Sequence, residues 1–223
     1  IDASFTPALG DLDDDGLPEI VAVRHGTQHL LAFEHDGAMK WQSVQPWPDF
    51  GYSALALADL DGDGGVEILA DTHVFSAAGL LLLELPETTA TGWGNATTAA
   101  DLDGDGDLEI VLGRSAFHHD GSTYYDTMAV PTGYPQVANL DDDPEPEVLV
   151  QSYDGLTVLE HDGSIKLAAL RPTGVAADGT SWIRPATVHD LDGDGAANWA
   201  TSSGSVYAAY EPDGGLLWSF MVE

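Results

Sequence analysis

The chain has 223 residues and no cysteine, and its 38 acidic and 6 basic side chains give a formal net charge of −32 at pH 7. So acidic a chain is a poor partner for nucleic acid, whose binding depends on lysine and arginine contacts, and for an anionic membrane surface. The lack of cysteine excludes disulfides and thiol catalysis. Hydrophobic residues make up 43% of the chain, enough for a packed core, and no apolar run is long enough for membrane insertion.

A short acidic motif occurs five times, and its copies begin at Asp11, Asp59, Asp101, Asn139 and Asp190. We call them the first to fifth loops. The third copy, ADLDGDGDLEIVLG, places carboxylates at every second residue of a glycine-rich turn. Hard divalent cations take several oxygen ligands at about 2.3–2.6 Å, and this alternation can supply them. Successive copies begin 48, 42, 38 and 51 residues apart, so the chain is a repeat protein.

We predict up to five Ca²⁺ sites, each formed by side chains at loop positions 1, 3, 5 and 9 and the backbone carbonyl at position 7. The predicted metal ligands are Asp11, Asp13, Asp15, Leu17 and Glu19 in the first loop; Asp59, Asp61, Asp63, Gly65 and Glu67 in the second; Asp101, Asp103, Asp105, Asp107 and Glu109 in the third; Asn139, Asp141, Asp143, Glu145 and Glu147 in the fourth; and Asp190, Asp192, Asp194, Ala196 and Asn198 in the fifth.

Two loops depart from the pattern. The fourth begins with Asn139 and has Pro144 where the others have glycine, and proline cannot supply a positive φ. We therefore expect the fourth site to be the weakest or empty. The fifth loop ends with Asn198, a neutral ligand, and is expected to bind more weakly than the first three.

The EF-hand begins with a similar motif and is the obvious alternative. Its loop also needs a bidentate glutamate at position 12 and a helix on each side. Position 12 here is Ala22, Ala70, Leu112, Val150 and Thr201, none of which has a carboxylate. Short apolar runs such as EIVAV and EIVLG follow the loops and favour strands, which argues against an EF-hand.

Each repeat is predicted to form four strands. In the first repeat we expect strands at 4–10, 17–23, 29–34 and 38–42, with the acidic loop after the first strand and an Asp-Gly hairpin turn before the last. The hairpin turn recurs at 119–121, 161–163 and 212–214, and in a weaker form at 77–79.

Five four-stranded antiparallel units without a helical pattern predict an all-β fold, a five-bladed β-propeller. We expect one domain over residues 1–223, with blades at approximately 1–47, 48–92, 93–132, 133–178 and 179–223. A fragment of a larger propeller and an open array of blades are the alternatives.

The motif D-x-D-x-D-G-x-x-[DE]-hydrophobic, with a strand before it and an Asp-Gly hairpin after it, resembles the FG-GAP/VCBS repeats. Such repeats form the calcium-binding propellers of integrin α-subunits and of many bacterial secreted proteins. The resemblance implies that the calcium loops join the first two strands of each blade on one face and that ligands are often met on the opposite face. The family includes adhesins, lectins and a few polysaccharide lyases, so the resemblance does not fix a function.

The opposite face is the second candidate site. Its loops are predicted to carry arginine and aromatic side chains, which are enriched at binding hot spots. The predicted ligand-binding residues are Arg24, Trp47, Tyr52, Trp93, Arg114, Tyr134, Trp182 and Arg184. The alternative is that the aromatic residues fill the channel of the propeller and its mouth.

No catalytic residue is predicted, because the chain has no nucleophile elbow, phosphate loop or HExxH motif. A lyase would need a basic residue near a calcium ion, and Lys40 and Lys166 are both expected on outer strands. We expect a calcium-stabilised binding module that is extracellular, at the cell surface or periplasmic, and either monomeric or part of a larger secreted protein. The expected partner is a protein, in adhesion or scaffolding. A carbohydrate-binding lectin is the alternative, and a calcium-dependent polysaccharide lyase is the third hypothesis.

Overall fold

The computed structural model describes residues 1–47, 53–86, 96–141, 143–172 and 185–221. These residues form five sheets, each of four strands, and sequential strands are neighbours within every sheet. The paired strands are antiparallel. Within the described residues no helix is long and apolar enough to span a lipid bilayer. The predicted all-β class and the five four-stranded units are confirmed.

The strands follow the repeats. The first sheet contains β1 (Ala8–Gly10), β2 (Glu19–Val23), β3 (His29–Phe33) and β4 (Met39–Pro46). The second contains β5 (Leu55–Ala58), β6 (Glu67–Ala70), β7 (His73–Ser76) and β8 (Leu81–Glu84). The third contains β9 (Thr98–Ala100), β10 (Glu109–Leu112), β11 (Ser115–Phe117) and β12 (Thr123–Asp126). The fourth contains β13 (Tyr134–Ala138), β14 (Glu147–Ser152), β15 (Gly155–Leu159) and β16 (Ile165–Leu170). The fifth contains β17 (Thr187–His189), β18 (Asn198–Ser203), β19 (Val206–Tyr210) and β20 (Leu216–Met221).

The second strand of each sheet is largely buried, because it carries the apolar run that follows the acidic loop. In β2, Val21, Ala22 and Val23 are buried, and all four residues of β10 are buried. The first strand is shorter than predicted: β1 begins at Ala8, four residues after the expected start. Its short pairing with β2 still places the intervening loop at one end of the sheet.

The predicted hairpin turns between the third and fourth strands are confirmed. In the first sheet the N–H of Gly37 donates to the carbonyl of Glu34 at 2.8 Å, and the N–H of Glu34 donates to the carbonyl of Ala38 at 2.8 Å. Gly37 has a φ of 86°, which costs glycine little. The second sheet makes the same two bonds between Ser76, Gly79 and Leu80, so the weaker Ala-Ala-Gly sequence forms the same turn.

The contacts divide the chain into two compact units, and the division passes through the third sheet. The first unit comprises 1–100, 106–112 and 117–123, and the second comprises 101–105, 113–116 and 124–223. In the first unit, Val21 and Leu30 of the first sheet share a core with Ile68 and Phe75 of the second. In the second unit, the core of the fourth and fifth sheets includes Trp199, whose ring stacks on that of Tyr210 with centroids 4.3 Å apart.

Candidate metal centres

The acidic loops connect the first and second strands of the sheets, where the sequence predicts them. In the first, second and third loops, three side chains of the loop each offer one oxygen atom within 4.8 Å of the other two. These triplets are Asp11, Asp13 and Asp15; Asp59, Asp61 and Glu67; and Asp101, Asp103 and Asp105. Several carboxylate oxygens around one point match the preference of hard divalent cations, so these loops can hold a metal ion.

The loop backbone folds around the side chain at position 1. The N–H of Gly16 donates to Asp11 Oδ2 at 2.8 Å, and the N–H of Gly64 donates to Asp59 Oδ2 at 3.0 Å. These bonds satisfy donors of the turn, and the bond from Gly16 lowers the pKa of Asp11. The position-1 carboxylate thus shapes the loop in addition to offering an oxygen to a cation.

Glycine at position 6 adopts the backbone conformation that proline cannot. Gly16, Gly64, Gly106 and Gly195 have φ values of 85°, 89°, 101° and 97°. Pro144 occupies this position in the fourth loop and has no N–H to donate. The fourth loop closes differently: the side-chain amide of Asn139 donates to the carbonyl of Asp143 at 2.5 Å.

The side chain at position 9 anchors the loop to the second strand, a role that our sequence analysis missed. One of its oxygens accepts the backbone N–H of position 2. Bonds of this kind run from Leu12 to Glu19 at 2.8 Å, from Leu60 to Glu67 at 3.1 Å, from Leu140 to Glu147 at 2.6 Å and from Leu191 to Asn198 at 2.7 Å. The sequence does contain a signal for this role. A glutamate or asparagine recurs at position 9 of every loop, eight residues after the start of the acidic motif.

The second loop brings four carboxylates together, and His119 lines the cavity beside two of them, Asp61 and Glu67. Asp59 Oδ1 is buried and has no hydrogen-bond partner among the described residues. Burial raises the pKa of Glu67, and the carboxylates of Asp61 and Asp63 raise it further. A hard divalent cation at this point would satisfy the Asp59 oxygen and relieve the repulsion, so the residues present fit a metal ion.

In the first loop a lysine lies among the carboxylates. Lys40 of β4 donates from Nζ to Asp13 Oδ2 at 2.6 Å and to Glu34 Oε1 at 3.0 Å, and it lies 3.8 Å from Glu19 Oε1. Glu19 is fully buried. The hydrogen bond to Asp13 is the main reason why the pKa of Lys40 is raised.

The fourth loop repeats this arrangement. Lys166 of β16 donates to Glu147 Oε1 at 2.6 Å and to Asp141 Oδ2, and it lies 3.3 Å from Glu160 Oε1. Burial of the ammonium group opposes its charge, but the hydrogen bonds to Asp141 and Glu147 outweigh it and raise the pKa of Lys166. Both lysines lie on outer strands as predicted, yet their ammonium groups reach the acidic loops.

Other polar groups stand beside the third and fifth loops. His118 Nδ1 lies 3.1 Å from Glu109 Oε1, and His119 Nδ1 lies 3.2 Å from Asp107 Oδ2. In the fifth loop the amide of Asn198 donates to Glu211 Oε2 at 2.9 Å. An amide at position 9 can therefore bond to the position-2 N–H and to a neighbouring carboxylate at the same time.

One residue predicted for the opposite face lies in the core. Trp47 is 1% exposed, and its ring packs against Phe5 with centroids 5.1 Å apart. It offers no surface to a ligand, and it belongs to the core cluster of the first two sheets. The sequence did not distinguish it from an exposed aromatic residue because it follows an outer strand and precedes a proline-containing segment.

Three other residues predicted for that face, Arg24, Arg114 and Tyr134, lie within the described residues. Arg24 is exposed, and its guanidinium donates to Gln42 Oε1. Arg114 is largely buried and donates to the carbonyl of Val130 at 3.2 Å, so it holds its own loop. Tyr134 is half-buried at the start of β13. The other predicted residues, Tyr52, Trp93, Trp182 and Arg184, lie outside the described residues.

Comparison with protein families agrees with the repeat motif. A model described as an FG-GAP-like repeat matches residues 11–70, which span the first two acidic loops. The chain therefore contains FG-GAP-like repeat sequence. No curated protein sequence matches the chain.

Solved structures extend the comparison. The chain is similar to the V. cholerae biofilm matrix protein Bap1, with 35% identity and a TM-score of 0.61, over 72% of this chain and 27% of that one. It also resembles the Bacillus licheniformis rhamnogalacturonan lyase PL11, with 17% identity and a TM-score of 0.53 over 96% of this chain and 56% of that one. A Staphylococcus aureus virginiamycin B lyase matches at 16% identity and a TM-score of 0.58, over 99% of this chain and 71% of that one. The two lyases share the fold with this chain, and the chain spans about a quarter of the length of Bap1.

Proposed function

We propose that this FG-GAP-like chain is a calcium-stabilised binding module of a secreted protein, acting in adhesion or scaffolding by binding another protein. The observation that carries the proposal is the 35% identity to a biofilm matrix protein over 72% of the chain. The formal charge of −32 and the acidic loops suit a compartment in which calcium is plentiful, outside the cell or in the periplasm.

Calcium is the proposed ion for the loops because their ligands are carboxylate, amide and carbonyl oxygens without sulfur or a dominant set of imidazoles. The ligand atoms of three residues gather within 4.8 Å in the first, second and third loops. The ion would neutralise neighbouring carboxylates and fix the loop between two strands of its own sheet, which is a structural role.

A catalytic function has less support. The two lyases match at 17% and 16% identity, which indicates a common fold and nothing about the reaction. Lys40 and Lys166 are each bonded to carboxylates, and such contacts favour the protonated lysine, which cannot accept a proton from a substrate. We therefore propose that the chain is not a lyase.

Binding to a bacterial biofilm matrix tests the function. The purified chain, with about 1 mM calcium, would be applied to an immobilised matrix before and after protease treatment, and separately after glycosidase treatment. Loss of binding after protease supports a protein partner. Loss after glycosidase alone would replace it with the lectin alternative, to be followed on a glycan array. Absence of binding by folded, calcium-loaded protein would contradict the proposal.

Thermal unfolding tests the role of calcium. Calcium that binds only the folded chain stabilises it by about 2.7 kcal/mol for each site at a concentration one hundred times its dissociation constant. We expect EDTA to lower the melting temperature by several degrees or more, and calcium to restore it. An equal melting temperature with calcium and with EDTA, at low ionic strength, would contradict calcium stabilisation.

A further inference from the structure

Two of the five repeats carry a lysine and a glutamate at matching places. Counted from the hairpin glycine, the residue three positions later is Lys40 in the first repeat and Lys166 in the fourth, whereas the others have Leu82, Tyr124 and Leu217. The residue three positions before the glycine is Glu34 or Glu160 in the lysine-bearing repeats. The fifth repeat has Glu211 at this place without a lysine, so the lysine alone distinguishes the first and fourth repeats from the other three.

The strand register makes these positions equivalent. In the first sheet Trp41 pairs with Ala32 and Met39 pairs with Phe33, so Lys40 lies at the irregular step between the two pairs. In the second sheet Leu83 pairs with Val74 and Leu81 pairs with Phe75, which places Leu82 at the same step. In the fourth sheet Lys166 lies between the paired residues Ile165 and Leu167.

The ammonium groups contact the same loop positions in both sheets. Lys40 bonds to position 3 of its loop, Asp13, and approaches position 9, Glu19. Lys166 bonds to position 3, Asp141, and to position 9, Glu147. Positions 3 and 9 are two of the predicted metal ligands. Each ammonium thus stands where it neutralises the carboxylates that a divalent cation would otherwise neutralise.

The second sheet shows the corresponding space without a lysine. A cavity of about 180 Å³ lies beside its loop, and its walls include Asp61, Glu67 and Leu82. Asp61 and Glu67 are positions 3 and 9, and Leu82 is the counterpart of Lys40. The same space that receives the ammonium in the first sheet is lined by two carboxylates in the second.

We propose that Lys40 and Lys166 are built-in cations of the first and fourth loops: each holds its loop in place without a divalent ion and competes with that ion for positions 3 and 9. The first and fourth loops are therefore ordered in metal-free protein and bind calcium weakly. The second loop, which has Leu82 in place of the lysine, depends on the ion. Calcium then controls the order of only some of the acidic loops. This proposal goes beyond the proposed binding function and does not depend on it.

Hydrogen exchange resolved by peptide tests the proposal on the whole chain. In EDTA, residues 11–19 should exchange more slowly than residues 59–67 by about tenfold, the effect of one hydrogen bond to a charged group. Calcium should slow exchange in 59–67 strongly and in 11–19 little. Equal exchange of the two loops in EDTA would overturn the proposal.

Substitutions at the equivalent positions give the matched test. Lys40→Met should speed exchange of 11–19 in EDTA about tenfold and make that loop calcium-sensitive, while Lys40→Arg should retain slow exchange. Leu82→Lys should slow exchange of 59–67 in EDTA and raise the calcium concentration needed to protect it. Exchange in β7, measured in the same samples, controls for loss of the fold. If Lys40→Met leaves both the exchange and the calcium response of 11–19 unchanged, the lysine is not a built-in cation.

Discussion

The first and second loops share a motif and the same kinds of hydrogen bonds at positions 1 and 9, yet their charges are balanced differently. In both, an aspartate at position 1 accepts a glycine N–H and a glutamate at position 9 accepts a leucine N–H. Only the first of the two has an ammonium group, Lys40, among its carboxylates. Under our proposal, the motif specifies the shape of the loop, and Lys40, on the last strand of the same sheet, determines how much the loop depends on a metal ion.

The largest expected effect is a loss of stability on substitution of Glu147, the position-9 residue of the fourth loop, which its equivalent Glu67 should not show. Glu147→Gln removes the charge that faces Lys166 at 2.6 Å and points an amide N–H at the ammonium. Because Glu147 is fully buried and the Lys166 side chain is 20% exposed, we expect a loss of about 2–3 kcal/mol, below the value for a fully buried pair. Urea unfolding in EDTA measures it.

Glu67→Gln is the matched control and should act in the opposite direction. The glutamine can still accept the N–H of Leu60, and its amide faces carboxylates instead of an ammonium group, as Asn198 does towards Glu211. In EDTA we expect stability to be unchanged or to rise by up to about 1 kcal/mol. Equal destabilisation by the two substitutions would show that the lysine makes no difference.

In metal-free protein, Glu67 of the second loop and Asp141 of the fourth loop should contribute to stability with opposite pH dependence. Glu67 has a raised pKa in the folded chain, so its contribution to stability is full below the unfolded pKa and is lost as pH rises through the folded pKa. Asp141 has a pKa lowered mainly by Lys166, so its contribution is present at neutral pH and is lost as pH falls through the folded pKa. Hydrogen exchange of 59–67 in EDTA should therefore slow, corrected for intrinsic rates, as pH falls from neutral towards the ordinary glutamate pKa. Glu67→Gln should abolish that change.

The hairpin turns of the same two sheets differ as well. Gly79 lies against the ring of Trp41, where an added Cβ would come within 2.7 Å of a ring atom, whereas Gly37 has no such neighbour within 4 Å. Both glycines have positive φ, so alanine costs about 1 kcal/mol at either from the backbone alone. We expect Gly79→Ala to cost about 1–2 kcal/mol more than Gly37→Ala, since the tightly packed Trp41 must move. Thermal unfolding of both variants in calcium checks this. Equal losses of stability would mean that the Trp41 side chain moves aside without a measurable energetic cost.

Much of the fold could be predicted from the sequence because its determinants are local. The Asp-x-Asp-x-Asp spacing locates each loop, the apolar run after Glu19 or Glu67 locates the second strand, and Asp36-Gly37 locates a hairpin. These patterns or close variants of them recur in all five repeats, so each copy supports the others. The first strand was predicted too long because Ser4 and Phe5 precede the pairing with β2.

The charge balance of the loops could not be predicted in the same way. Lys40 lies 27 residues from Asp13, and their contact depends on how the last strand lies across the loop. The sequence correctly places Lys40 on an outer strand. It does not show that the ammonium group of this residue contacts the acidic loop. Burial of Trp47 likewise depends on its packing against Phe5, at the other end of the same repeat.

The smallest expected effect is that of Pro144→Gly. This substitution tests whether the backbone at Pro144 or the ammonium group of Lys166 prevents calcium from binding in the fourth loop. If the absent glycine were the only obstacle, Pro144→Gly would by itself create a calcium site. Because Lys166 already holds Asp141 and Glu147, we expect Pro144→Gly alone to leave calcium titrations unchanged and to alter stability by about 1 kcal/mol or less, mainly through the unfolded chain. Combined with Lys166→Met, it should add one calcium ion to the stoichiometry measured by native mass spectrometry. A site gained with Pro144→Gly alone would show that backbone geometry, and not the lysine, excludes the metal from this loop.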